Sequence, residues 1–166
     1  MGRAWLVRAG RSGESERLAL DAGIIVIGWS ELRDLSGVAT KDDLGDLLRR
    51  TYPDAKPRRL LNHRSQLWAF RHSMAIGDLA VLPLKTSGTV AVGRVTGAYM
   101  YLHDLPPTAR HVRTVDWLTT DVPRDALGRD LLHTLGAAMT VCEVKRNSGA
   151  QRLEAVAATG NDPGPG

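Results

Sequence analysis

Two short strings carry residues that could hold a metal ion against a phosphate. Pro53-Asp54 resembles the start of a PD-(D/E)xK nuclease centre, and Glu143-Val144-Lys145 supplies an ExK. That chemistry needs carboxylates from adjacent strands sharing one divalent ion, with the lysine beside the attacked phosphate. Asp54 instead stands where a helix ends, 89 residues before Glu143, and matches of two or three letters arise by chance in most chains. His63, His72, His103, His111 and His133 include no pair at zinc-ligand spacing, and His63 and His72 read as solvent-facing or phosphate-facing on the basic helix. The lone Cys142 sits in a strand pattern without a histidine signature beside it and reads as a core thiol. Arg8 to Ser15 (RAGRSGES) precedes a helix as a phosphate loop would, yet it lacks Gly-Lys-Ser/Thr and the Rossmann glycine spacing. These residues assemble no catalytic constellation, and no metal site or cofactor is expected. A metal-dependent nuclease using Asp54, Glu143 and Lys145 is kept as an alternative.

Charge and aromatic placement point instead to binding. Between Lys41 and His72 there are eight Lys or Arg against four Asp, so this stretch carries the whole net charge of +4. From Lys56 to Arg71 five bases, Lys56, Arg58, Arg59, Arg64 and Arg71, stand with no acid among them. A local basic face beside a neutral body is the footprint of a phosphate-backbone binder, though a solvated helix face would look the same. Four of the eight aromatics are tryptophan. Trp5 and Trp117 lie within strand patterns and Trp68 on an apolar helix face, so these three read as core. Trp29 follows Gly28 at the end of a buried strand, and Tyr99 and Tyr101 come just past Gly97 at another strand's end. Rings at such positions form a platform on which an unpaired base stacks, worth about 1–3 kcal/mol per base.

The elements that must position these residues follow from periodicity. Ala4 to Arg8 reads as a strand, Glu14 to Ala22 as a short helix closed by Gly23, and Ile24 to Ile27 as a buried strand. Thr40 caps a second helix, with Asp42 and Asp43 at its positive end, that stops near Tyr52-Pro53. Arg58 to Ala75 reads as a longer amphipathic helix. Strands follow over Leu79 to Leu84, Thr89 to Gly97 and His111 to Trp117, then a helix over Pro123 to Ala138 and a last strand from Thr140 to Val144. The chain weakens after Lys145 and ends in Asn-Asp-Pro-Gly-Pro-Gly, which reads as a frayed tail. One domain is expected over residues 1–146, with a partly disordered C-terminal extension over residues 147–166. About six strands, several of them consecutive, with three to four helices predict an α+β barrel-like sheet. No apolar run reaches the roughly 18 residues that span a bilayer, no signal-peptide pattern opens the chain, and cytosol is the default compartment.

In order along the chain, WLVRAGRSGE, GIIVIGWSELRDLS, LLRRTYPDAKP, SQLWAFRHSMAIGDLAVLPL, VAVGRVTGAYMY and HVRTVDWL resemble the EVE-like domain of the PUA superfamily. The variant most similar precedes the catalytic domain of Mrr-type, modification-dependent restriction endonucleases, and the resemblance runs from about Trp5 to about Val144. It implies a PUA/EVE-like twisted β-barrel whose pocket takes up a modified base. Related EVE and YTH domains use an aromatic cage for this. Trp29 matches one wall, a second comes from a later strand end where this chain offers Tyr99 and Tyr101, and the Arg8, Ala9, Gly10 turn lines the same mouth. The nuclease domain that follows in that family has no counterpart here, so a separately encoded nuclease partner is a possibility.

The expected function is therefore a non-enzymatic reader. It flips a modified base, foremost 5-methylcytosine in duplex DNA, into a pocket walled by Trp29 and Tyr99 or Tyr101. Arg8, Asn62, Ser65 or Gln66 would contact the base edge, while Arg11, Lys56, Arg58, Arg59 and Arg64 hold phosphates. An RNA-binding PUA-like module is the alternative, since the basic helix does not distinguish the two nucleic acids. Oligomeric state is not legible.

Overall fold

A computed structural model describes residues 2–165. Three short strands, Ala4–Val7, Ile24–Ile27 and Leu79–Pro83, are buried along their whole length, and the period of two sorts side chains into separate cores. In β1 (Ala4–Val7), Trp5 and Val7 join one core while Ala4 and Leu6 join the other. β3 (Leu79–Pro83) sends Ala80 to the first and Leu79 and Val81 to the second. A sheet buried on both sides needs helices on both sides. α2 (Lys41–Thr51) and α3 (Pro57–Trp68) cover the first face through Leu44, Leu47, Leu48 and Leu67. α4 (Arg129–Leu135) and α5 (Gly149–Thr159) cover the second through Leu131, Leu135, Leu153 and Val156.

The sheet runs β2 (Ile24–Ile27), β6 (His111–Pro123), β4 (Thr89–Val95), β3, β1, β7 (Val141–Glu143), with β5 (Met100–Tyr101) paired on β6. Its pairings are antiparallel except the parallel β1–β3 contact. β6 (His111–Pro123) bends the sheet. Its first residues, His111 to Thr114, pair with β2 (Ile24–Ile27), and Val115 to Pro123 pair with β4 (Thr89–Val95) through two register shifts. Such shifts raise local twist, and the result is a curled half-barrel of α+β class. Gly93 is required at the bend, because a Cβ there would stand 2.9 Å from Cε3 of Trp117. The Trp117 indole crosses that gap and donates to the Ala19 carbonyl at 2.9 Å, tying β6 to α1 (Glu16–Ala22).

Buried ion and carbonyl contacts fix the corners. Arg113 of β6 is 3% exposed and donates to the carbonyls of Gly97 at 3.0 Å, Phe70 at 3.2 Å and Met74. It thereby satisfies the end of a π-helical turn, Ala69–Ser73, into which α3 runs. Asp78 accepts from the Trp5 indole at 2.9 Å and from the Ala75 and Arg3 amides.

Four expectations change. The single helix over Arg58 to Ala75 is α3 plus this π turn, because the Arg113 guanidinium collects the loosened carbonyls. The helix over Pro123 to Ala138 is shorter: Val122 stays in the core, Pro123 ends β6, a 3-10 turn spans Arg124–Ala126, and α4 starts after Gly128. Among the described residues the sheet has the six strands expected, with the two-residue β5 beside them, but five α-helices where three to four are expected. Within the C-terminal extension, Gly149–Thr159 forms a helix, α5, where no element is expected. Arg152 of α5 is 2% exposed and forks onto Asp162, with Nε to Oδ1 at 2.8 Å and Nη2 to Oδ2 at 2.6 Å. A second fork holds Asp130, with Nη1 to Oδ2 at 2.6 Å and Nη2 to Oδ1 at 2.9 Å. Asp162 also accepts from the amides of Gly128 and Gly164, so the chain beyond α5 is fastened to the start of α4. Among the described residues no helix is long and apolar enough to cross a membrane.

Candidate binding pocket

A cavity of about 660 Å³ opens where the chain leaves β1 and β2. Its wall starts with Trp29, whose backbone is left-handed at φ 48°, a conformation that costs a non-glycine residue about 1–3 kcal/mol. The turn is closed by the Leu32 amide donating to the Trp29 carbonyl at 2.9 Å. This backbone turns the indole out of the strand line toward α3. There Nε1 donates to Nδ1 of His63 at 2.9 Å, with the rings edge to face at 88°. Tyr52, at the C-terminal cap of α2, stacks on the other side of His63 at 5.8 Å and 26°. Trp29, His63 and Tyr52 together make an aromatic corner. The Tyr52 hydroxyl donates to Oε2 of Glu31 at 2.9 Å, fastening α2 to the loop after β2.

Electrostatics follow from this packing. Burial raises the Tyr52 phenol above its ordinary value, and the bond to Glu31 adds to the rise. Glu31 is held below the usual carboxylate range by its own backbone amide and by the Tyr52 hydroxyl. Burial lowers His63, and the neighbouring Arg59 guanidinium lowers it further. Both effects favour the neutral imidazole over its charged form. Arg8, Arg11, Arg59 and Lys85 stand around the mouth against Glu14 and Glu31, leaving it positive.

The loops that carry these charges are braced. Nη2 of Arg8 donates to the carbonyls of Leu135 at 2.7 Å and Ala137 at 2.9 Å, so the arginine pins the segment after α4 that forms the far rim. Gly10 has φ 93°, and a Cβ there would fall 1.9 Å from Oε2 of Glu14. The buried Glu16 carboxylate accepts from the Lys85 and Thr86 amides at 2.7 and 3.2 Å, joining the β3–β4 turn to α1.

Of the residues expected from sequence, the structure brings Trp29, Arg8, Gly10, Arg11 and Arg59 to this cavity. It places Tyr99 elsewhere. That ring is 7% exposed, its hydroxyl accepts from the Leu35 amide at 3.0 Å, and it bonds Nδ1 of His111 at 2.7 Å. Tyr101 packs edgewise on His103 and His111 at β5 and does not line the cavity. The strand end that carries them folds inward, because β5 pairs with β6 instead of ending at the mouth. Gln66 is buried, and its amide oxygen accepts from Thr140 at 2.9 Å and Val141 at 3.1 Å while its nitrogen donates to Asn62 at 2.6 Å. It props the rim segment. Ala9 is buried in a small core with Ala19 and Leu82. Ser65 and Arg64 line a separate cavity of about 470 Å³ on the other flank of α3, with Trp68 and Leu61. Lys56 and Arg58 are exposed at the start of α3, outside both cavities.

The sequence reading gives neither Tyr52 nor Lys85 a binding role, and makes His63 a solvent-facing or phosphate-facing residue of the basic helix. His63 stands four residues after Arg59, the spacing that puts two side chains on one helix face, and that signal was available. Asp54 is exposed in the turn between α2 and α3, and Glu143 pairs with Arg3 at 3.4 Å. Among the described residues no group of three or more His, Cys, Asp or Glu is placed to hold a metal ion.

A family model described as "Domain of unknown function (DUF8426)" matches residues 5–143, most of the chain. The chain belongs to the DUF8426 family. The matched span of this DUF8426 chain includes both sides of the pocket and stops before α5. No curated protein matches it in sequence. Among solved structures, an Mmi1 YTH domain is similar at TM-score 0.48 and 8% identity, over 95% of this chain and 75% of that one. A complex of the Mmi1 YTH domain with RNA gives 0.46 and 8%, over 95% and 78%. The protein Atu2648 from Agrobacterium tumefaciens gives 0.40 and 16%, over 98% and 99%. Likeness at this level transfers no site residue to the DUF8426 chain.

Proposed function

We propose that the pocket takes up a single base of a nucleic acid and holds it without chemical change. The observation that carries this is the aromatic corner of Trp29, Tyr52 and His63 inside a cavity whose mouth bears four basic side chains. A flat, weakly polar ring gains from stacking in such a corner, and phosphates on either side gain from Arg11, Arg59 and Lys85. The volume suits a small flat group, being within the range of ordinary ligand sites.

The finer reading is a modified base, foremost 5-methylcytosine flipped out of duplex DNA, in keeping with the EVE-like resemblance of the sequence. A methyl group buried in an aromatic slot adds about 0.8 kcal/mol, or roughly fourfold in affinity, beyond what the unmodified base receives. Binding instead of turnover fits the way the ionisable groups are engaged. Glu31 is held by Tyr52, and Glu14 accepts from the Ser12 amide at 2.7 Å.

The test is a fluorescence-anisotropy panel at fixed salt, using duplex DNA with and without 5-methylcytosine, and single-stranded DNA and RNA of the same sequence. Tighter binding to the methylated duplex is expected. Equal binding to both duplexes would remove the modified-base reading and leave a general nucleic-acid binder. Preference for the RNA strand would move the assignment to an RNA reader, and binding to none would end the reading altogether.

A further inference from the structure

His63 is approached by a donor at each nitrogen. The Trp29 indole N–H points at Nδ1 from 2.9 Å, and the Arg59 Nε–H points at Nε2 from 3.2 Å. A neutral imidazole accepts at one nitrogen and donates at the other, so one of these two contacts cannot be a hydrogen bond. Nor can protonation help, since imidazolium accepts at neither. The half-buried indole has a backbone fixed in the left-handed turn, and leaving its N–H without an acceptor costs more than leaving an exposed guanidinium to solvent. His63 is therefore the Nε2–H tautomer, with Nδ1 taken by Trp29. That leaves the His63 Nε2–H and the Arg59 Nε–H as two donors 3.2 Å apart that cannot satisfy each other. Both stand on the pocket lining, and both are held there by one turn of α3.

We propose that this pair is a preset cradle for one phosphate oxygen of the bound nucleotide, placed against the base that the aromatic corner stacks. Resting on the base-binding reading, it makes the ligand a nucleotide and not a free base or nucleoside. An oxygen placed between the two nitrogens accepts from both, and the guanidinium charge makes one of those bonds charge-assisted. A phosphate is favoured over a base carbonyl because Arg59 is exposed at the mouth, where the sugar-phosphate chain must pass. The arrangement also explains why Arg59 approaches a group from which it gains nothing in the free protein: the bonding partner is the ligand.

The experiment uses the full chain and two probes. Long-range nitrogen-proton correlation of the histidine rings in free protein is expected to show His63 as the Nε2–H tautomer. Inorganic phosphate is then expected to shift the His63 Nε2 signal in the wild type, and not in Arg59→Gln. Next, 5-methyl-2′-deoxycytidine is compared with its 3′- and 5′-monophosphates. One monophosphate is expected to bind about tenfold tighter than the nucleoside or better, as one added charge-assisted bond gives. Arg59→Gln should bring it back to the nucleoside's level, and His63→Phe, which keeps the ring between Trp29 and Tyr52, should take away much of the gain. Equal affinity of nucleoside and monophosphates, with no response to phosphate, overturns the cradle while leaving the base site standing. A phosphate response on His63 with no binding of any nucleoside or nucleotide would do the reverse, keeping the anion cradle and removing the base reading. The Nδ1–H tautomer in free protein would overturn the proposal at its first step.

Discussion

Two arginines in this molecule occupy opposite situations. Arg152 is sealed between two carboxylates, with all three guanidinium nitrogens engaged and its side chain 2% exposed. Arg59 is exposed and directed at an imidazole that has no free acceptor for it. The first arrangement is complete, and adding a ligand could only disturb it. The second is incomplete in the free protein, as a binding residue's contacts are before its ligand arrives. The contrast separates a basic group that holds the fold from one that serves a partner, a distinction net charge alone does not make.

The largest expected effect breaks the completed side. Arg152→Ala leaves the Asp162 carboxylate buried without its partner, and loss of one member of such a pair costs about 3–5 kcal/mol. Urea denaturation measures it, and a loss below about 1 kcal/mol would mean that the clasp is ornamental. Acid sharpens the same point. The Arg152 guanidinium holds Asp162 at about 2, below the ordinary 3.8. A carboxylate lowered in the folded state contributes stability that is full above the ordinary value and disappears as pH falls through about 2. Melting temperature should therefore decline over that interval in the wild type, and the decline should be shallower in Arg152→Ala.

On the incomplete side, Trp29→Ala should weaken binding of the preferred oligonucleotide by about 1–3 kcal/mol, the worth of one stacked base. Its melting temperature should fall only modestly, because the half-buried indole packs on the edge of the first core and not within it. Tyr99→Phe makes a smaller and opposite split. It removes a hydroxyl that serves Leu35 and His111, so stability should fall by about 1 kcal/mol while base preference is unchanged. A loss of preference in Tyr99→Phe would restore that ring to the site.

The difference between Trp29 and Tyr99 shows what the sequence could and could not convey. Both follow a glycine at a strand end, and the one-dimensional pattern treats them alike. Trp29 turns outward because its own backbone adopts φ 48° and its indole finds His63, 34 residues away. Tyr99 turns inward because the two residues after it pair with β6. Local cues placed β2 at Ile24–Ile27 and capped α2 with Thr40, whose Oγ1 accepts from the Asp43 amide at 3.1 Å, since everything those elements need lies within a few residues. α5 escaped notice for the opposite reason. Its Leu153 and Val156 have helical spacing, but its fastening depends on Asp130 and Asp162, 22 and 10 residues from Arg152. The aromatic corner was half legible: Trp29 by position, Tyr52 and His63 only once α2 and α3 were packed together.

The smallest effect lies in the titration of His63. Burial and Arg59 hold its pKa below the ordinary 6.5, and protonation would displace the Trp29 indole from Nδ1. The group's folded value is lowered, so the bond is intact above the ordinary value and is lost as pH falls through the lowered one. Arg59→Gln should move that midpoint upward toward 6.5. Glu31 pulls it upward in both proteins and burial downward, so the shift reads the Arg59 contribution.

The most direct test follows the four indole N–H resonances while methylated duplex is added to nitrogen-15-labelled protein. Trp5 is bonded to Asp78 and Trp117 to the Ala19 carbonyl, whereas Trp29 stands in the aromatic corner and Trp68 in the cavity across α3. A shift of the Trp29 signal, with Trp5 and Trp117 unmoved, is the predicted result. Movement of Trp68 with Trp29 unchanged would place the nucleic acid on the other flank of α3 and contradict the account.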